Sequence, residues 1–114
     1  MTTTDRELLE RAAKAAGIDG QYECWAGQGF MEGIRRTGSP KEFKIWNPLM
    51  YDDQALRLAG TLSMSVEICE HETSTYAYAG PVPRVYAMEL WRDDKDAATR
   101  RAIVIAAAMA WEGE

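Results

Sequence analysis

The stretch from Ala97 to Trp111 constrains the fold more than any other part of the chain. Read as a helix, it sets Ala97, Ala98, Ala102, Ala106, Ala107, Ala108 and Ala110 among Ile103, Val104, Ile105 and Trp111. Apolar side chains then cover much of its circumference. A helix with one apolar stripe can lie on a surface, whereas a helix apolar on most sides has to be surrounded. The many alanines let its neighbours come close. The spacing predicts a helix over 95–112, capped by Asp93 or Asp94 and buried in the core or against a second copy of the chain.

The rest of the chain has to supply what surrounds it. Thr4 followed by Glu7 forms a capping box, and Leu8, Leu9, Ala12, Ala13 and Ala16 recur at helical spacing, with Gly17 as the left-handed stop. Gln21 to Trp25 reads as a strand. Phe30, Met31 and Ile34 suggest a second, which Gly33 weakens. Thr37 to Pro40 is a turn, and Lys41 to Trp46 is extended. A second helix starts at Asp52 or Asp53, where acids meet the positive end of the dipole. It buries Ala55, Leu56, Leu58, Ala59 and Leu62, and Gly60 leaves its end ragged.

Met64, Val66 and Ile68 alternate with Ser65, Glu67 and Cys69, which is the period of a half-buried strand. His71 to Ser74 turns the chain. Thr75 to Ala79 alternates again with Tyr76 and Tyr78 on one face, and Pro81 and Pro83 interrupt. Arg84 to Trp91 sets Tyr86, Met88 and Leu90 opposite Val85, Ala87, Glu89 and Trp91. The predicted order is α–β–(β)–α–β–β–β–α. The predicted class is α+β: a single layered domain over residues 1–114, with a mainly antiparallel sheet packed by about three helices, like an α/β/α sandwich.

With Lys and Arg numbering 13 against 18 Asp and Glu, the net charge is -5. That balance argues against generic nucleic-acid binding, which draws on phosphate neutralisation. No apolar run reaches membrane-spanning length. Residues 1–5 lack the basic and apolar parts of a signal peptide. The expected location is the cytoplasm, with Cys24 and Cys69 reduced. Two cysteines at this separation make no zinc site.

Each chemistry-bearing cluster has a plain structural alternative. Gly27, Gly29 and Gly33 approximate a dinucleotide loop, but the last glycine falls one place late and no helix clearly follows, so a turn is the simpler assignment. His71, the single histidine, stands between Glu70 and Glu72 as a turn residue would. Asp52, Asp53, Asp93, Asp94 and Asp96 all fall at helix starts, where capping accounts for them. No catalytic residue, metal ligand or cofactor is assigned. Aromatic residues near arginines would suit an anionic nucleotide, with rings stacking on the base and guanidinium holding phosphate. Trp46, Arg84, Arg35, Arg36 and Tyr78 are the candidate ligand contacts.

Two segments also carry a family resemblance. Trp46-Asn47-Pro48-Leu49, with Asp52, Asp53 and the run Ala55-Leu56-Arg57-Leu58-Ala59, is similar to a pattern of the phage ABA-sandwich family. So is the closing Ala97-Ala98-Thr99-Arg100-Arg101-Ala102-Ile103-Val104 with its acidic approach. The resemblance implies a phage or prophage origin and a sheet sandwiched between helices, and it implies no catalytic residue. The resulting expectation is a non-enzymatic accessory protein that counters host antiviral defence. It would act as a sponge, sequestering a signalling nucleotide without cleaving it, and form a homo-oligomer through the alanine-rich last helix. The alternatives are a protein–protein inhibitor of a host defence, restriction or CRISPR component, and a small nucleotide hydrolase using His71 or a carboxylate pair.

Overall fold

The computed structural model describes residues 4–27, 29–36, 45–80 and 85–112. In chain order they form α1 (Asp5–Ala15), β1 (Gly20–Gly27), β2 (Gly29–Arg36), α2 (Asp52–Thr61), β3 (Ser65–Cys69), β4 (Ser74–Ala79), β5 (Val85–Leu90) and α3 (Lys95–Glu112). This is the α+β class and the element order expected. The strands divide into two antiparallel sheets, a β1–β2 hairpin and a β3–β4–β5 meander, where the sequence suggested one.

α3 is the centre of the molecule. It packs on α1, on α2 and on strands β4 and β5. Ala102, Val104, Ala106 and Ala107 have no exposed surface at all. The packing is small residue against small residue: Thr75, Ala77 and Ala79 of β4 and Ala87 of β5 are buried on the sheet face toward α3. Larger side chains enter from the flanks, Leu8 and Leu9 from α1 and Leu58 from α2. Each fully buried leucine or isoleucine contributes roughly 1.5–3 kcal/mol. The apolar circumference of α3 is thus largely used within one chain, and Trp111, near its end, is the large apolar residue it leaves exposed.

Local chemistry sets the helix ends. Thr4 accepts the Glu7 N–H at 3.2 Å and starts α1. Gly17, at φ 75°, ends it, with Ile18 N–H donating back to the Ala13 carbonyl at 2.8 Å. α2 runs through Gly60 and closes the same way on Ser63 at φ 50°, with Met64 N–H donating to Ala59 at 2.8 Å, so its end is not ragged. Asp94 Oδ1 accepts from Ala97 N–H at 2.9 Å and starts α3. Arg101 then ties three elements together, reaching Asp5 of α1 at 2.9 Å and Glu89 of β5 at 3.5 Å.

β2 does not weaken at Gly33. The strand continues through it at φ 152°, because the backbone of 45–47 passes directly over it. A Cβ there would stand 2.7 Å from the Trp46 carbonyl oxygen, and only glycine leaves that space. Ile34 and Trp46 exchange backbone hydrogen bonds at 2.8 and 3.0 Å, which joins the hairpin to the body.

Candidate functional site

Of the five sequence candidates, the structure places Trp46, Arg35 and Tyr78 in three different settings. Trp46 is 6% exposed and belongs to the hydrophobic core beside Ile34. A ligand could reach it only if the 45–49 segment opened. Arg35 lies on the hairpin and pairs with Glu23 at 3.6 Å. Arg84 and the Arg36 side chain fall outside the described residues, as do the expected turn at 37–40 and the stretch 41–44. Tyr78 stands on the sheet face remote from α3. Trp46 and Tyr78 therefore do not share a site.

The two signature segments meet each other. Asn47 is buried, donates from Nδ2 to the Glu32 carbonyl at 2.8 Å, and accepts the Leu49 N–H on Oδ1 at 3.0 Å. Its own N–H donates to Gln54 Oε1, while Gln54 Nε2 donates to the Ile45 carbonyl at 3.1 Å. From the closing segment, Arg100 Nε donates to the Leu49 carbonyl at 2.9 Å and Nη1 to Asp52 at 2.7 Å. Nearby, Thr99 contacts the Thr75 hydroxyl at 2.9 Å, and Trp91 Nε1 donates to the same oxygen. Among the described residues no buried side-chain polar atom lacks a partner. These motifs satisfy polar groups inside the fold and leave none aimed at a ligand.

The open surface is the outer face of the three-stranded sheet. Register places Ser65, Tyr78 and Tyr86 in one row, Glu67, Tyr76 and Met88 in the next, and Cys69, Ser74 and Leu90 in the third. The three tyrosine rings cluster with centroids 5.9 to 6.4 Å apart. Tyr86 is 55% exposed and Leu90 53%, and Met88 is exposed beside them. Among the described residues, the helices pack on the opposite face. An aromatic and apolar sheet face left wet is an informative exception to burial.

Among the described residues, the charged groups that border this face are carboxylates. Tyr76 donates its hydroxyl to Glu72 at 2.8 Å, which raises its pKa, with burial adding to the shift. Burial, then the Glu67 carboxylate, raises Tyr78. Burial also raises the Cys69 thiol, which donates to Glu67 at 3.5 Å. At neutral pH the face is therefore neutral phenol and thiol bordered by the carboxylates Glu67 and Glu72. Ring faces and carboxylates together favour a cation.

Beside β3 lies a groove of about 270 Å³ between that strand and α2, lined by Leu56, Val66, Ile68 and Ile103 and floored by α3. His71 is exposed in the β3–β4 turn. Among the described residues no three metal-binding side chains gather, and no helix is long and apolar enough to cross a membrane. The sequence did carry a signal for the open face. Tyr76, Tyr78, Tyr86, Met88 and Leu90 share one side of two strands, and the alanines of the other side match an alanine-rich helix.

No family model, curated protein or solved structure matches this chain.

Proposed function

We propose that this chain is a non-catalytic accessory binding protein that docks a basic protein surface on the outer face of its three-stranded sheet. The observation that carries this reading is the cluster of exposed Tyr86 with half-buried Tyr76 and Tyr78, beside exposed Met88 and Leu90, bordered by Glu67 and Glu72 and turned away from every helix described. Tyrosine, with methionine beside it, is the chemistry that interfaces concentrate. The carboxylates select a partner that presents lysine or arginine among apolar groups. The net charge of -5 favours the same partner and steers its approach. In the setting that the phage resemblance suggests, the partner is a host defence component in the cytoplasm whose basic surface is occupied by this protein.

The nucleotide reading asks for arginines around an accessible aromatic ring. It has less support, since Trp46 is core and Arg35 already faces Glu23. Chemical-shift mapping of ¹⁵N-labelled protein separates the two. N-acetyl-arginine amide is expected to move resonances of Tyr76, Tyr78, Tyr86 and Met88, and N-acetyl-glutamate amide to leave them still. Equal response to both amides would overturn the cation preference. Tight binding of a cyclic dinucleotide or ADP-ribose would replace the proposal with sequestration.

A further inference from the structure

We infer that the partner enters as a fourth strand on the edge of β3 that no described strand occupies, presenting an extended segment in which apolar and basic residues alternate. This rests on the binding role proposed above and names how that partner is held. β3 is an edge strand: it pairs with β4 on one side and with no described strand on the other. Edge strands are commonly protected by proline, lysine or a bulge. Ser65–Cys69 contains no proline or lysine, and its register against β4 runs without a bulge.

The two sides of that edge differ in chemistry. On the side toward α3, Val66 and Ile68 are 38% and 49% exposed and open onto the groove whose far wall is Leu56, itself 73% exposed. An added strand about 4.8 Å away would send alternate side chains into that groove. Lys95 and Arg100 at its rim are already held, by Glu70 at 2.9 Å and by Asp52 at 2.7 Å. With those two cations held and the Asp96 carboxylate exposed at the rim, the walls left to meet an incoming segment are Leu56, Val66, Ile68 and Ile103, which call for apolar side chains. On the other side, the residue between them projects beside Glu67 and the tyrosine row. That position calls for arginine or lysine.

A second copy of this chain fits less well. Pairing β3 with its own copy over the full strand sets Glu67 directly opposite Glu67, and like charges across a strand pair are destabilising.

Three ten-residue peptides test the inference: alternating arginine and valine, alternating glutamate and valine, and five arginines followed by five valines. The alternating cationic peptide is expected to bind at least tenfold tighter than either other peptide, by fluorescence anisotropy, and to slow amide hydrogen exchange in β3 at least tenfold. Leu56→Gln and Glu67→Lys, both at exposed positions, are expected to weaken it at least threefold and tenfold. Equal affinity for the block peptide would overturn the strand. So would protection on β5 instead of β3, or a β3-paired dimer that takes up no peptide. Binding that shifts Tyr86 and Met88 while β3 exchange is unchanged sinks the added strand and leaves the tyrosine-face reading standing. If no cationic probe binds anywhere, both fall.

Discussion

The 45–54 junction and the outer sheet face use their polar and aromatic residues in opposite ways. At the junction, Trp46 is buried, Asn47 makes hydrogen bonds through both side-chain polar atoms, and Gln54 and Arg100 close the remaining backbone groups. On the sheet face, Tyr76, Tyr78 and Tyr86 gather on the side away from the described helices, Tyr86 exposed and the other two half-buried. The junction contains the more recognisable sequence, yet its chemistry is spent inside the molecule. The face contains no motif and keeps its chemistry for solvent or a partner. A distinctive segment can therefore be distinctive because the fold needs it, and a binding surface can be written in ordinary alternating strands.

The sharpest way to break this contrast is Asn47→Ala. It strands the Glu32 carbonyl and the Leu49 N–H in a buried site, at a cost of about 3 kcal/mol, read as a lower urea midpoint with an unchanged slope. Asn47→Asp keeps the acceptor for Leu49 and loses the donor, so comparing the two apportions the effect. A loss under about 0.5 kcal/mol would mean that the junction is not what joins hairpin and body.

Gly33→Ala comes next. The new methyl meets the Trp46 carbonyl and Ile45, and the backbone sits where glycine is strongly favoured. The expected cost is about 2 kcal/mol. Unchanged stability, with faster amide exchange at Ile34 and Trp46, would show that 45–47 can shift aside.

A smaller effect appears at alkaline pH. Tyr22 donates its hydroxyl to Glu32, and that hydrogen bond, with burial behind it, pushes its pKa up to about 12. The neutral phenol is the form that the fold favours. Its stabilisation is fully present below pH 10, the unfolded value, and is lost as pH rises through about 12. Urea midpoints should fall over that window, and Tyr22→Phe should fall less. Tyr76 and Tyr78, raised in the same direction, leave a shallower residual slope. Parallel curves for the two proteins would remove Tyr22 from the account.

How far the sequence reaches follows from what each residue's neighbours decide. Element order was readable because capping by Thr4 and Asp94 and the stop at Gly17 are local, and so is strand alternation. The central place of α3 was readable too, since its own composition demands it. The division into two sheets was not, because register alone does not say which strands will pair across long connections. The role of Gly33 was also hidden. It depends on a segment that passes over it from a dozen residues away, and the same glycine in isolation reads as a weak point in a strand. The candidate site suffered most. Tryptophan beside arginine suggests a nucleotide only if both are accessible, and burial of Trp46 is a tertiary fact. Which face of the meander stays wet turns on α3 as well. Its alanines accept the alanine side of the sheet, and the tyrosines are left outside.

That last point gives the smallest stability effect and the most direct test of the contrast. Tyr86 is the most exposed of the three rings, and the Tyr76–Tyr78 pair, 6.4 Å apart, does not depend on it. Tyr86→Ser should therefore change folding stability by no more than about 0.5 kcal/mol, the usual range for surface positions. Its response to N-acetyl-arginine amide should nevertheless drop at Tyr76, Tyr78 and Met88. If the ring serves the fold instead, stability falls and the arginine response of the remaining residues survives. The two results pull in opposite directions, so one variant decides whether the tyrosines belong to the core's outer skin or to a partner.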